Sequence, residues 1–161
     1  MRREGSKRWD EVLMRASNLI VIVLIPAIAG LDFRFGWSSL DVGFVIVGLV
    51  LVVLSSVILN WAMMVNPYFE PTVRIQKERG HNVITNGPYS VVRHPGYSAG
   101  ILFAVSIPML IGSIFAFVPV GVYIFFMILR TWLEDKTLQE ELDAYSEYVA
   151  HVKHRLFPGI W

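Results

Sequence analysis

Two groups of residues hold the reactive side chains of this chain. The first is Asn86-Gly87-Pro88-Tyr89-Ser90-Val91-Val92-Arg93-His94-Pro95-Gly96-Tyr97, a polar, turn-rich stretch that runs directly into the longest uncharged segment. The second is Arg130 with Glu134, one helical turn apart, where that uncharged segment ends. Concentrated donors, phenol rings and glycines make poor packing material and good ligand-binding material. A helix starting at Pro95 has its proline in the first turn, where a missing N–H costs little, and its free backbone amides favour anions. Arg130 and Glu134 at i and i+4 project on one face. As a helix pair in that order they contribute at most roughly 0.2–0.5 kcal/mol, whereas ionisable groups at the edge of an apolar core are costly enough to suggest function. Taken singly, each residue has a plain structural explanation: Arg93 snorkels, His94 caps a helix, and Tyr97 belongs to an interfacial aromatic belt. Together, with Gly96-xxx-Gly100 allowing close helix approach, they point to a bound small molecule.

The elements that must position these residues follow from composition. Of 161 residues, 55% are hydrophobic and 17% charged, and the mean hydropathy is +0.54. That is too apolar for an ordinary soluble domain of this size, and a bilayer is the expected environment. Charges are absent over residues 16–31, 42–69 and 95–129. About 20 helical residues cross a hydrocarbon core, so the second run spans once and the third crosses twice as a tight hairpin turning at Gly112-Ser113. The first run is short, but Arg15 at its edge can snorkel. The expected fold is all-α and integral to the membrane. It is a single domain over residues 1–161 with about four transmembrane helices, at 13–31, 41–65, 97–111 and 114–132. Segments 66–96 and 133–161 lie outside the bilayer and contain nearly all the polar chemistry. The second of these reads as a helix, with Leu138, Leu142, Tyr145, Val149 and Val152 at spacings of three and four.

Basic residues orient the spans. Arg2, Arg3, Lys7, Arg8 and Arg15 precede the first, Arg74, Lys77, Arg79 and Arg93 lie between the second and third, and Arg130, Lys136, Lys153 and Arg155 close or follow the fourth. Only Arg34 falls in the opposite loops, so a multi-pass protein with both termini cytoplasmic is expected. The N-terminal run has a basic flank like a secretory signal, but no small-x-small cleavage pattern with a polar start follows it. The segregated charges fit membrane lipids and give no argument for nucleic acid. Cysteine is absent, which excludes disulfides and thiolate nucleophiles. His151 and His154 without a further ligand describe a solvated face, so no metal site is expected. Oligomeric state is not readable, because Gly96-xxx-Gly100 packs helices within one chain or between two.

The runs His81-Asn82-Val83-Ile84-Thr85-Asn86-Gly87-Pro88-Tyr89, Arg93-His94-Pro95-Gly96-Tyr97, Arg130-xxx-Glu134-Asp135-xx-Leu138, Tyr145-xx-Tyr148 and Arg155-Leu156-Phe157-Pro158-Gly159-Ile160-Trp161 resemble the isoprenylcysteine carboxyl methyltransferase family. That family is in turn similar to the membrane phospholipid N-methyltransferases. The likeness covers residues 66–161, and residues 1–65 match only as generic spans. It implies an integral membrane methyltransferase using S-adenosylmethionine, with S-adenosylhomocysteine as product, and no Rossmann fold. Consistently, no G-x-G-x-x-G follows a strand pattern. The resemblance implies a cytoplasmic cofactor pocket formed by His81, Asn82, Val83, Ile84, Tyr89, Arg93, His94, Pro95, Gly96 and Tyr97 and closed by the C-terminal helix. It assigns Arg130 and Glu134 to the reaction centre.

The acceptor implied is hydrophobic or lipid-linked, most like the carboxylate of an isoprenylcysteine. A phospholipid amine and a small thiol are the alternatives. A carboxylate needs only to be held in line by Arg130, whereas an amine must lose a proton, for which Glu134 is the candidate base. A non-enzymatic membrane scaffold explains the spans and charges equally well, but gives no reason for the Arg-His-Pro-x-Tyr and Arg/Glu groups to share one side.

Overall fold

A backbone in hydrocarbon must satisfy its own N–H and C=O groups, so uncharged runs of this length become helices. The computed structural model describes residues 6–161 and, among them, contains helices and loops but no strand. Arg2 and Arg3, counted above among the basic residues before the first span, lie outside the described residues. The helices are α1 (Arg8–Leu19), continued through a π-helical turn (Ile20–Leu24) into α2 (Ile25–Phe35), then α3 (Val42–Val65), α4 (Pro95–Ile111), α5 (Phe117–Glu141) and the short α6 (Tyr145–His151). The π-helical turn has a local cause. Pro26 has no N–H to give and its ring crowds the carbonyl four residues back, so the helix widens just before it instead of breaking.

Arg8–Phe35, Val42–Val65 and Phe117–Glu141 are each long and apolar enough to cross a membrane. The expected third span is a shorter apolar helix of 17 residues, about 25 Å long, and it packs most extensively on α3. At 25 residues, α5 reaches about 37 Å. That is longer than a hydrocarbon core, and Glu134 and Asp135 lie in the C-terminal third of the helix. The outward faces are apolar: on α3, Val53 is 63% and Met64 85% exposed, the reverse of a water-soluble bundle.

The two ends of the bundle are fastened differently. At one end the buried Asp32 carboxylate accepts from Ser38 N (2.7 Å), Ser38 Oγ (2.5 Å) and Ser113 Oγ (2.5 Å). The Leu40 N–H donates to Gly112 O at 3.1 Å. These bonds tie the α2–α3 connection to the α4–α5 turn, which sits at the expected Gly112-Ser113, with Gly112 closing α4 at a φ of 82° that favours glycine. At the other end, residues 66–94 fold over the helix ends in two short 3₁₀ turns, Lys77–Arg79 and Gly87–Ser90. The expected single C-terminal helix is interrupted: α5 stops at Glu141, Ala144 takes a left-handed φ of 64°, and α6 restarts at Tyr145. The break turns Tyr145 and Tyr148 back towards the bundle, where with Val152 they form a small core against Val83, Leu138, Leu142 and Val149.

The two glycines of Gly96-xxx-Gly100 do different work. A Cβ on Gly96 would lie 2.9 Å from the Phe69 ring, and one on Gly100 2.7 Å from the Tyr123 hydroxyl. Gly96 therefore seats a loop residue, and only Gly100 sets the approach of α4 to α5, while Ser55 Oγ bonds Ala99 O (2.8 Å) across α3 and α4. Replacing Gly100 by Ala overpacks this contact and is expected to cost about 1–3 kcal/mol. In detergent, Gly100→Ala should melt at a lower temperature than wild type, and Tyr123→Phe added to it should recover part of the loss.

Candidate functional site

Where the ends of α3, α4 and α5 meet loop 66–94 and α6, they enclose a cavity of about 130 Å³. This is about ten times the space a single buried water requires. All ten residues nominated for the cofactor, residues 81–84, Tyr89 and residues 93–97, line this cavity, and so does Glu134. Arg130 does not. Its guanidinium lies behind the wall, 4.9 Å over the Tyr97 ring, and the Tyr97 hydroxyl donates to Glu134 Oε2. Arg130 and Glu134 thus share one face of α5, as their spacing requires, but Tyr97 stands between them.

The wall is held by a buried carboxylate next to Glu134 in the chain. Asp135, 1% exposed, accepts from Arg93 Nε (3.0 Å) and Nη2 (2.7 Å), Arg155 Nε (2.8 Å) and Tyr145 Oη (2.8 Å). His94 Nε2 is 3.1 Å from its Oδ1. A carboxylate only accepts, so His94 donates from Nε2, and its ring stacks parallel to Tyr97 at 5.6 Å between centroids. Arg93 also donates through Nη1 to Val152 O (2.7 Å) and Lys153 O (3.0 Å), so its guanidinium is committed to holding the C-terminal segment. The backbone repeats the connection: Arg93 N donates to His154 O (3.0 Å) and His94 N to Arg155 O (2.9 Å).

Around the opening, polar groups fix the rings. Asn66 Nδ2 donates to Tyr89 Oη at 3.0 Å, and Tyr148 Oη to Tyr89 O at 2.6 Å. Burial pushes the Tyr89 phenol up to about 12. Burial also raises Tyr145 and Tyr148 well above the ordinary phenol range. All three are neutral at physiological pH; the Tyr145 and Tyr148 hydroxyls already donate within the fold, to Asp135 and to Tyr89 O. His81 accepts from Gln76 N at Nδ1 (3.3 Å) and packs on the Tyr68 ring at 4.3 Å. Burial, then the charges of Arg79 and Arg74, hold its pKa below the usual 6.5. Beyond the nominated residues, Asn66, Tyr68, Phe69, Tyr145 and Tyr148 also line the cavity. The Tyr145-xx-Tyr148 spacing was a usable signal for the last two. For Tyr68 and Phe69, inside an apparently generic helix exit, there was none. Among the described residues no group of histidines and acids could hold a metal ion.

The profile of the "Isoprenylcysteine carboxyl methyltransferase (ICMT) family" matches residues 46–140, more than half of the sequence. The chain belongs to this family. Two similar proteins, from Oryza sativa subsp. indica and Oryza sativa subsp. japonica, are each described as "Probable protein-S-isoprenylcysteine O-methyltransferase". Each is 31% identical over an alignment of 114 residues, which covers 66% of this chain and 57% of the relative. The match therefore spans little more than half the length of these relatives. Within the ICMT match lie the loop 66–94 wall, Arg93, His94, Tyr97, Arg130, Glu134 and Asp135, whereas Tyr145, Arg155 and all of α1 fall outside it.

Two expectations follow from the geometry. Removing the Asp135 carboxylate leaves two guanidinium groups without their partner, and breaking a buried ion pair costs about 3–5 kcal/mol. Asp135→Ala should lose that stability in thermal unfolding, with no gain when Arg93 is also replaced by Ala unless Arg155 is replaced as well. For His81, the sign follows from its lowered pKa. The unfolded state binds the proton first, so stability is full above 6.5 and declines as pH falls below it. Between about pH 7.5 and about pH 5.5 the wild type should lose more melting temperature than His81→Asn does.

Proposed function

We propose that this chain transfers a methyl group from S-adenosylmethionine to a lipid-like acceptor at the cytoplasmic face of a membrane, and that the acceptor is most like the carboxylate of an isoprenylcysteine. The observation that carries this reading is the cavity itself: every nominated cofactor residue and Glu134 line one half-open pocket at the end of an apolar bundle, in a chain of the ICMT family. Both termini on the cytoplasmic side is the orientation that the basic residues favour.

The lining fits the proposed cofactor. Tyrosine and imidazole rings suit an adenine or a cation, neutral phenols and backbone amides suit a carboxylate, and Glu134 offers the negative charge that a sulfonium or ammonium needs. When bound, S-adenosylmethionine supplies a methyl group on an already activated leaving group. What the chain must add is positioning and exclusion of water. His94 and Tyr97 hold one wall in a fixed stack, Tyr145 and Tyr148 cover the opposite side, and the apolar helix faces accept the hydrocarbon part of the acceptor from the bilayer. Arg130 holds the developing geometry at the acceptor end through Tyr97 and Glu134.

A phospholipid amine as acceptor is the second reading, favoured by one observation. Glu134 stands on the cavity wall while the Arg130 charge lies behind it, next to Asp10 (2.6 Å), and an acidic wall suits an amine that must lose a proton. Calorimetry in detergent tests the enzyme reading, since a wild-type chain that binds neither S-adenosylmethionine nor S-adenosylhomocysteine cannot have it. Labelled S-adenosylmethionine offered with N-acetyl-S-farnesylcysteine or with phosphatidylethanolamine vesicles then separates the acceptors by which product carries the label. Arg130→Ala is expected to keep S-adenosylhomocysteine affinity, because Arg130 is off the cavity surface, and to lose about 100-fold in turnover, because it positions Tyr97 and Glu134.

A further inference from the structure

We infer that Asp10, on the N-terminal helix, is a positioning residue that orients Arg130 and the adjoining cavity wall for the reaction. This rests on the reading of Arg130 as a residue of the reaction centre.

Asp10 is the third residue of α1, outside the stretch that matches the family, and is 0% exposed. Its two oxygens do separate jobs. Oδ1 accepts from Arg130 Nε at 2.6 Å, and Oδ2 accepts from the Val73 backbone N–H at 2.8 Å. Val73 lines the cavity. Arg130 Nη2 donates to Pro71 O on the same strip of loop. One carboxylate therefore fixes a guanidinium and a piece of cavity wall in a single register. The guanidinium is then presented to the Tyr97 ring at 4.9 Å, and Tyr97 passes the connection to Glu134.

An ion pair kept only for stability would not need this arrangement. The helix is already anchored to the same loop and to α5 without Asp10: Lys7 N donates to Val73 O (3.3 Å), and Lys7 Nζ meets Glu141 at 2.5 Å. Asp10 adds direction. Holding Nε from one side sets the plane of the guanidinium, which a planar, fork-shaped donor group makes consequential. The series Asp10, Arg130, Tyr97, Glu134 crosses from α1 through α5 and α4 to the cavity without a gap.

The test is a double-mutant cycle on the full chain in detergent, read as turnover of labelled S-adenosylmethionine on N-acetyl-S-farnesylcysteine or phosphatidylethanolamine vesicles, whichever the wild type methylates. Asp10→Asn should lose roughly ten-fold or more in kcat, with S-adenosylhomocysteine affinity within about two-fold of wild type. Combined with Arg130→Ala, it should add almost nothing to the loss from Arg130→Ala alone, because both act through the same guanidinium. Asp10→Glu keeps the charge one methylene further out and should recover part of the turnover. It carries the same cycle if Asp10→Asn does not fold. Losses that multiply in the double variant, or a drop in kcat that only follows a drop in melting temperature and cofactor affinity, would overturn the role of Asp10 and leave the proposed reaction standing. A wild type that binds S-adenosylhomocysteine but methylates neither acceptor removes the role of Asp10 together with the acceptors proposed. A wild type without any such binding removes the whole functional reading.

Discussion

A single buried carboxylate holds the working end of this protein together. Asp135 collects two guanidinium groups, a phenol and an imidazole within 3.1 Å, and these groups come from the start of α4, from α6 and from the C-terminal tail. Charges this deeply buried are tolerated only when paired and hydrogen-bonded on every side. The geometry therefore admits little slack: if α6 shifts, Tyr145 is lost, and if the tail shifts, Arg155 is lost. Apolar packing of the helices beneath adds little direction of its own, because lipid supplies no hydrophobic drive between them.

The same logic recurs in three places along the molecule. Asp32 with Ser38 and Ser113 closes the far end, Asp10 with Arg130 joins the first helix to the last long one, and Asp135 gathers the C-terminal part around the cavity. Each is a carboxylate with donors drawn from separate segments. In an environment that supplies no hydrophobic drive between helices, polar contacts of this kind give the bundle its specificity. They also leave the cavity between two such clusters: His94 belongs to the Asp135 cluster and stacks on Tyr97, and Tyr97 meets Arg130 of the other.

Much of this was visible in the chain. Uncharged runs gave the helices, because hydrocarbon leaves the backbone no other arrangement, and Gly112-Ser113 was readable as a turn because only a residue tolerant of positive φ closes α4 there. The cavity residues were readable as a group from their types and from the family resemblance. What stayed hidden had physical reasons. The π-helical turn before Pro26 replaces a break that proline alone would suggest. The interruption at Ala144 contradicts a continuous apolar stripe from Leu138 to Val152, since nothing about alanine announces a left-handed φ; packing of Tyr145 and Tyr148 imposes it. Arg93 lines the cavity as its nomination requires, but its guanidinium bonds to Asp135 and two carbonyls were not readable from its neighbours in the chain.

By itself, the sequence determined the solvent, the helical class and the turn of the α4–α5 hairpin, because these depend on composition and on spacing within short stretches; the set of side chains that meet at one end was legible only with the family resemblance added. Only the tertiary structure decided the partners. Asp10 and Arg130 are 120 residues apart in the chain, and Arg93 and Asp135 are 42 apart, distances over which spacing says nothing about contact. That Glu134 faces the cavity while Arg130, one turn away, lies behind Tyr97 follows from the same cause: where a charged side chain comes to rest is set by the nearest buried opposite charge, and that charge arrives from another part of the fold.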